Sequence, residues 1–363
     1  MRATLTPFQK LLLLLGFLLL SMHLNSCKHT DPEEVPEPFP IFETGKIYVA
    51  NEHAGTISVI DAATNKVLKT ININEGNSNA LMAHNVQVAP DGNTVWVTGV
   101  PMDHTTDEKL VIIDAKADSV IYRKNMGVHL HMAHVVLDSQ SKFAYVTGTE
   151  AGLVLQINTQ TFHTSNVYTL PANHQPHGLR YYNGKLYVAN LEDKSISVID
   201  VSTGQITEIP VGGMAVQTAI SQDGKYVFAS LFDTKEVVRY NLQTQTLDRI
   251  SLPAIAQGPI QLYPTPDSKK FFVCDQGVLL NRPVSDKVFV IDIEKAAVTN
   301  TINVGNAAHG VVVSKSGKTA YSTNTNDGTV SVIDVALEKV IATIPVGFTP
   351  NGISFLSETG GMP

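Results

Sequence analysis

Cysteine is almost absent from this sequence of 363 residues, which contains only Cys27 and Cys274. Cys27 follows an apolar N-terminal segment and is expected to be modified there, so Cys274 has no second thiol with which to pair. This scarcity excludes both an internal disulfide and a thiolate-rich metal site in the mature chain. We therefore expect packing, and not cross-links, to stabilise the fold.

Clusters of positive charge are also lacking. The chain has 26 Lys and Arg residues against 33 Asp and Glu residues, which gives a formal net charge of -7. Nucleic-acid binding draws its affinity from grouped Lys and Arg side chains, so no nucleic-acid partner is expected. No phosphate-cradling loop, serine-hydrolase elbow or Cys-x-x-Cys-His haem motif is present either. These absences favour a role without catalysis.

Long hydrophobic runs are limited to "LLLLLGFLLL" at residues 11–20. This run is too short for a comfortable transmembrane helix, and Arg2 and Lys10 lie before and at its start, as in a secretory signal. The sequence "LNSC" that ends at Cys27 resembles the lipobox of bacterial lipoproteins. The resemblance implies that residues 1–27 are a lipoprotein signal peptide and that Cys27 carries the lipid.

Residues 28–45 contain four prolines and five acidic residues, a composition that stays extended and solvated. We interpret this segment as a tether between the lipid anchor and a folded domain. Lys28, directly after the cysteine, resembles the residue choice that permits sorting to the outer membrane. The expected location is therefore extracytoplasmic, on the periplasmic or the cell-surface face of the outer membrane.

From residue 46 the sequence repeats itself, as shown by "IYVANEHAGTISVIDAATNKVLKTI" (47–71), "LYVANLEDKSISVIDVSTGQITEI" (186–209) and "AYSTNTNDGTVSVIDVALEKVIATI" (320–344). Each copy alternates β-branched and aromatic residues between Asn, Asp and Gly turns, which predicts three strands. A fourth strand precedes most triplets, as in "AHNVQVAPDGNTVWVTG". The pattern is typical of an all-β repeat protein.

An Asp or Asn closes the middle strand of every triplet, and its seven occurrences are spaced by 53, 44, 42, 41, 51 and 42 residues. Such a period predicts a seven-bladed β-propeller of four-stranded blades. These residues are Asp61, Asp114, Asn158, Asp200, Asn241, Asp292 and Asp334.

The first triplet lacks a preceding strand, whereas "NGISFLS" at 351–357 has no triplet after it. We therefore expect this last strand to complete the first blade and close the ring, which removes exposed sheet edges. The propeller is assigned to residues 46–358 and a short C-terminal tail to residues 359–363. The motifs "YVAN", "SVID", "IPVG" and "PNGI" resemble the YVTN-repeat propellers, also called surface-layer-protein-like, of extracytoplasmic proteins.

One position at the entry of each innermost strand is predicted to form a ring around one mouth of the central channel. Five members of this ring are polar and two are apolar, an asymmetry that favours a binding pocket. In order around the channel the seven are His309, Asn351, His84, His134, His177, Val216 and Ile260.

Three further histidines, His129, His131 and His174, precede ring positions and are expected nearby. A site of imidazole nitrogens without cysteine suits zinc or copper, so His84, His134, His177 and His309 are candidate metal ligands. The alternative is that "PHG" at strand entry is simply a signature of the repeat.

Two other functions remain open from the sequence. The stretches "HLHMAH" and "HQPHGLR" resemble strand entries of propeller lactonases, which implies His177 with Arg180 as a catalytic pair, although no acidic partner is found at equivalent register. The principal expectation is a scaffold that binds a protein, peptide or glycan. Its loop insertions at 101–109 and 275–287 are the candidate recognition elements.

Overall fold

A computed structural model describes residues 43–74, 80–103 and 105–361. The described chain is all-β apart from one short 3-10 turn, Leu279–Asn281. Its strands form seven antiparallel sheets, which we number as blades 1 to 7. The predicted seven-bladed β-propeller is confirmed.

The strands of blades 1 to 3 are given first. Blade 1 contains β1 (Lys46–Asn51), β2 (Thr56–Asp61), β3 (Lys66–Asn72) and, from the C-terminus, β28 (Pro350–Ser357) and β29 (Gly360–Gly361); blade 2 contains β4 (Leu81–Val88), β5 (Thr94–Pro101), β6 (Glu108–Asp114) and β7 (Ser119–Gly127); blade 3 contains β8 (Met132–Leu137), β9 (Phe143–Gly148), β10 (Leu153–Asn158) and β11 (Thr164–Thr169).

The remaining four blades follow the same order without interruption. Blade 4 contains β12 (Pro176–Tyr182), β13 (Lys185–Asn190), β14 (Ser195–Asp200) and β15 (Ile206–Pro210); blade 5 contains β16 (Ala215–Ile220), β17 (Tyr226–Leu231), β18 (Glu236–Asn241) and β19 (Leu247–Ser251); blade 6 contains β20 (Pro259–Pro264), β21 (Lys270–Asp275), β22 (Lys287–Asp292) and β23 (Ala297–Asn303); blade 7 contains β24 (Ala308–Val313), β25 (Thr319–Asn324), β26 (Thr329–Asp334) and β27 (Lys339–Pro345).

The ring closes as predicted, through a strand supplied by the C-terminus. β28 pairs antiparallel with β1, with Ile47 opposite Phe355. The innermost strands β4, β8, β12, β16, β20, β24 and β28 contact one another in sequence around a central channel. The predicted C-terminal tail, residues 359–363, includes β29, which pairs with the end of β28.

The seven closing Asp and Asn residues stabilise a tight turn after the third strand of each blade. Each side-chain oxygen accepts a backbone N–H two or three residues later, as Asp114 does from Lys116 at 2.9 Å and Ala117 at 2.7 Å. This local hydrogen bond explains why short polar side chains recur at this position. It also accounts for the regular period in the sequence.

The core lies between neighbouring blades, where the alternating apolar faces of successive sheets pack together. Polar contacts join the blades as well. Tyr48 in blade 1 donates its hydroxyl hydrogen to Asp118 of blade 2 at 2.6 Å, and Lys46 pairs with the same carboxylate at 2.7 Å. Buried aromatic side chains such as Trp96 and Tyr145 fill the same layers.

The first described residues pack against blade 7. Glu43 is buried, and its carboxylate accepts hydrogen bonds from Ser314 at 2.7 Å and Thr319 at 3.3 Å. The predicted signal peptide with Cys27, and most of the tether at 28–45, lie outside the described residues. Within the part of the chain that the structure describes, no helix is long and apolar enough to cross a bilayer.

Candidate metal centre at the channel mouth

The residues predicted to form a ring lie in the innermost strand of each blade, within its first four residues. Strand pairing beside this position is shifted in the affected blades, as between Met132 and Val135 of β8 and between Pro176 and Leu179 of β12. Such a bulge leaves an extra residue unpaired and redirects its side chain. The same distortion therefore places these side chains at one mouth of the channel.

Three of the four predicted ligands come together. The ring centroids of His134 and His177 are 5.0 Å apart, and that of His84 lies 6.2 Å from His134 and 6.1 Å from His177. One ring nitrogen from each histidine lies within 4.8 Å of those of the other two. Ligands around one zinc ion would be separated by about 3.3 Å, given Zn–N distances of about 2.0–2.1 Å. The observed upper limit of 4.8 Å is wider than that spacing, so binding of one ion would draw the three nitrogens together.

Hydrogen bonds between blades hold the strands that carry two of these histidines. The backbone N–H of His134 donates to the Thr147 hydroxyl at 3.0 Å, and this hydroxyl in turn donates to the His177 carbonyl at 2.7 Å. Glycine after His177 permits close approach, because a Cβ at Gly178 would lie 1.9 Å from the Gln217 side-chain oxygen. The two histidines are thus positioned by backbone contacts of neighbouring strands.

Glu52 is an acidic partner of His84 that the repeat register did not predict. Its Oε1 lies 2.8 Å from Nδ1 of His84, and its Oε2 accepts from the Asn351 amide at 2.9 Å. A carboxylate only accepts, so Nδ1 of His84 carries the hydrogen and Nε2 is left for a ligand. Glu52 follows the strand-closing Asn51, whereas Leu191 holds the corresponding position of blade 4. That departure from the repeat was the available signal.

His177 is oriented in a similar way, because its Nδ1 lies 2.9 Å from the carbonyl oxygen of Val216 and donates to it. His134 has a longer contact, 3.4 Å between its Nδ1 and the Gln217 amide nitrogen. His84 and His177 therefore use Nδ1 for these bonds and leave Nε2 outside them. Metal-binding histidines commonly use such a second hydrogen bond to fix the ring and its tautomer.

Burial and mutual repulsion keep two of the three imidazoles neutral. Burial, reinforced by His177 and His84, holds the pKa of His134 well below its usual value. Burial, followed by the effect of His84, lowers the pKa of His177 to about 4. Both side chains are neutral at pH 7, and the neutral imidazole is the form that can bind a metal.

The Glu52–His84 pair behaves differently. Burial alone would raise the pKa of Glu52, but His84 and its hydrogen bond lower it to about 2. Burial would lower the pKa of His84, but the carboxylate of Glu52 raises it above the usual value. The pair therefore favours a proton on His84 in the metal-free protein, and a cation that binds at Nε2 would displace this proton. The Glu52 carboxylate would then partly offset the charge of the bound cation.

The remaining ring members surround this cluster without joining it. His309 is buried, its Nδ1 has no hydrogen-bond partner among the described residues, and burial lowers its pKa to about 3. Asn351 contacts Glu52 and lies 3.4 Å from Nδ1 of His84. Val216 and Ile260 are buried on the apolar side.

The three neighbouring histidines occupy loops. His129 and His131 lie between β7 and β8, and the His131 ring centroid is 6.4 Å from that of His84. The loop is held by Glu108, whose carboxylate accepts the backbone N–H groups of His131 at 2.6 Å and Met132 at 2.7 Å. The side chain of His174 instead contacts two carboxylates of blade 4, which are described below.

Arg180 lies farther along β12, toward the opposite mouth. It lines a cavity of about 500 Å³, together with Tyr181, Tyr263 and the ends of neighbouring innermost strands. Its guanidinium lies 5.9 Å from the centroid of the Tyr263 ring and donates to the Leu179 carbonyl at 2.9 Å. The lactonase hypothesis pairs Arg180 with His177. Among the described side chains, these two do not make a direct contact.

Cys274 is outside both clusters of candidate ligands found among the described residues. It is buried in β21, and its sulfur lies 3.2 Å from the Ser322 hydroxyl. Burial raises the pKa of this thiol to about 12, so it stays protonated. The candidate ligands in the described part of the chain are therefore imidazoles and carboxylates.

No family model and no curated relative matches the chain. Solved structures do match. Hydrazine synthase from Kuenenia stuttgartiensis is 16% identical, with 85% of this chain and 99% of that chain covered and a TM-score of 0.68. AztD from Citrobacter koseri is 12% identical, with 87% and 98% covered and a TM-score of 0.62. Virginiamycin B lyase from Staphylococcus aureus is 16% identical, with 77% and 94% covered and a TM-score of 0.62. At these identities the similarity establishes the β-propeller fold but not the function, which must be argued from the residues of the site.

Proposed function

We propose that this chain is a lipid-anchored, extracytoplasmic propeller of the YVTN-repeat type that binds one zinc or copper ion at the channel mouth. The ligands are His84, His134 and His177. The observation that carries the proposal is that one nitrogen from each imidazole lies within 4.8 Å of the other two, although the three come from separate, consecutive blades. A three-histidine set suits both metals.

The orientation of the imidazoles supports metal ligation over a purely structural role. His84 and His177 use Nδ1 for Glu52 and a backbone carbonyl, so their Nε2 atoms are available. Glu52 orients His84 as carboxylates commonly orient metal-binding histidines. With three protein ligands a fourth position stays open, and water or a small ligand would occupy it.

Calorimetric titration of the purified protein with zinc and with copper(II) tests the proposal. The wild type should bind one ion at the channel, and the His84→Ala/His134→Ala variant should lose that ion. His309→Ala is the matched control, because His309 has the same place in the repeat but is not part of the three-histidine cluster. Equal metal binding by the wild type and the double variant would contradict the proposal.

The lipid anchor rests on the sequence around Cys27 alone. Two acyl chains at this cysteine would attach the propeller stably to a membrane, and Lys28 is compatible with the outer membrane. Cys27→Ser should move the protein from the membrane fraction to the soluble fraction of fractionated cells. An unchanged distribution would refute lipidation at Cys27.

A second candidate function is recognition of a protein, peptide or glycan by the loop at 275–287. Val278, Leu279 and Leu280 expose 47%, 42% and 52% of their surface, and adjacent exposed apolar residues often mark interaction sites. Arg282 holds this loop by donating to the Phe232 carbonyl at 2.8 Å. Leu279→Ser/Leu280→Ser should abolish co-purification of a partner from envelope extracts and leave metal binding unchanged. Identical co-purification would exclude this loop.

A further inference from the structure

A second group of possible metal ligands lies in blade 4, on the same face of the propeller but outside the channel. It consists of His174 before β12, Asp193 in the turn between β13 and β14, and Glu208 in β15. One ligand atom from each lies within 4.8 Å of the other two. His174 is only 5% exposed, whereas the side chains of Asp193 and Glu208 are 41% and 29% exposed.

The imidazole of His174 is directed at the two carboxylates. Its Nε2 lies 3.4 Å from Asp193 Oδ2 and 3.4 Å from Glu208 Oε1, yet it is buried and makes no hydrogen bond within the described residues. Its other nitrogen, Nδ1, makes a long contact of 3.5 Å with the Ala172 carbonyl. That carbonyl can only accept, so the hydrogen is assigned to Nδ1.

This assignment leaves the Nε2 lone pair facing two negatively charged oxygens. Such an arrangement is unfavourable unless a positive charge lies between them, and either a proton on Nε2 or a metal ion can supply it. A proton would form a directed hydrogen bond to one carboxylate, which is not observed. A cation placed between the three atoms would be coordinated by all of them.

The distances fit a cation. A tetrahedral zinc ion with ligands at about 2.0–2.2 Å separates them by about 3.3–3.6 Å, and both N···O distances are 3.4 Å. The partly exposed carboxylates leave the outward side open to water as a fourth ligand. One imidazole with two carboxylates is a donor set for a divalent first-row transition metal.

A second set of hydrogen bonds holds Glu208 in place. Its Oε2 accepts from the Ser195 hydroxyl at 2.9 Å and its Oε1 from the Ser197 hydroxyl at 2.8 Å. The amide of Asn190 donates to both hydroxyl oxygens at 2.8 Å. Hydrogen bonds that fix the orientation of a carboxylate in this way are typical of the groups that surround metal ligands.

We propose that His174, Asp193 and Glu208 form a second divalent-cation site, with zinc as the ion that this donor set fits. The inference is independent of the channel site, because no residue is shared. Blade 7 keeps the aspartate but not the other two ligands: Asn306 stands where blade 4 has His174, and its side chain donates to Asp327, the counterpart of Asp193, at 3.0 Å. Blade 4 therefore has an imidazole where blade 7 has an amide that donates to the same aspartate position.

Zinc titration of the full-length protein, followed by stoichiometry, tests the proposal. The wild type should bind one more ion than either His174→Ala or Asp193→Asn/Glu208→Gln. The amide variants keep the size of both side chains and one accepting oxygen on each, so they test the site even if His174→Ala fails to fold. Asn306→Ala is the matched control and should bind as the wild type does.

The two sites are distinguished in the His84→Ala/His134→Ala background. That variant should keep one zinc ion that is lost on adding His174→Ala, and cobalt(II) bound in it should show the intense visible absorption of a tetrahedral complex. If the amide variants bind as many ions as the wild type, or if the channel double variant binds none, the blade 4 site is refuted. The second of these outcomes leaves the channel site standing.

Discussion

The histidine cluster at the channel mouth and the cluster in blade 4 lie on the same face but are assembled differently. The first takes one imidazole from each of three blades, and its members occupy the same position of the repeat. The second takes His174, Asp193 and Glu208 from three elements of a single blade. One cluster follows the symmetry of the propeller, and the other departs from it.

The difference also appears in charge. Burial and neighbouring imidazoles keep His134 and His177 neutral in the channel, where Glu52 supplies a carboxylate behind His84. In blade 4 the carboxylates are themselves candidate ligands. A cation would therefore meet nitrogen donors in the channel and mostly oxygen donors in blade 4, so the channel should prefer copper more strongly.

Breaking the ring has the largest expected effect, because the channel cluster exists only in a closed propeller. Deleting residues 348–363 removes β28 and exposes the β1 edge that now pairs with it. An unpaired inner edge invites aggregation and leaves neighbouring blades without a packing partner. We expect loss of the cooperative thermal transition, measured by circular dichroism, together with loss of channel metal binding.

Phe348→Ser is the control for this deletion, because Phe348 is 66% exposed and lies just before β28. Its melting temperature should match that of the wild type. A soluble monomer with an unchanged melting temperature after the deletion would show that these strands are not needed to close the ring.

The fold was predictable from the sequence because its determinants are local. The Asp or Asn at the end of each third strand stabilises the next turn through its own side chain, as Asp114 does. The alternation of apolar and polar residues defines the strands. Closure also followed, since the first triplet lacked a strand that the C-terminus could supply. The predicted ring positions likewise depended on repeat register alone.

The chemistry of the two sites was less predictable, because it depends on contacts between turns. Glu52 reaches His84 across 32 positions of the chain, and no period specifies that contact. Similarly, His174 was expected near the channel from its spacing to His177. Its ring turns toward Asp193 and Glu208 instead, a choice set by the direction of a loop that sequence spacing does not encode.

Removal of the Glu52 carboxylate, which contacts Nδ1 of His84, is expected to have an effect of intermediate size. Glu52→Gln keeps the size of the side chain but loses the negative charge. We expect zinc affinity at the channel to fall by about 10–100-fold, as for other groups that orient metal-binding histidines. Blade 4 should be unaffected. Calorimetry in the His174→Ala background isolates the channel site, and unchanged affinity there would remove Glu52 from the proposed metal centre.

The smallest expected effect comes from building the blade 4 site into blade 7. Thr343 lies opposite Ser331 as Glu208 lies opposite Ser197, and Asp327 is already present. The hydroxyls that would hold a new glutamate are also in place, because Asn324 donates to Thr329 and to Ser331 at 2.9 Å.

Asn306→His/Thr343→Glu should therefore add one zinc ion per chain, bound about tenfold or more weakly than at blade 4, because the loop before β24 is not selected to direct an imidazole outward. Equilibrium dialysis against zinc, with Asn306→His alone as the control, measures the gain. The single variant should add no ion, since one carboxylate and one imidazole make a poor site. If the double variant also gains nothing while blade 4 binds, residue identity at the three positions is insufficient. The loop that directs His174 would then be the feature that distinguishes the two blades.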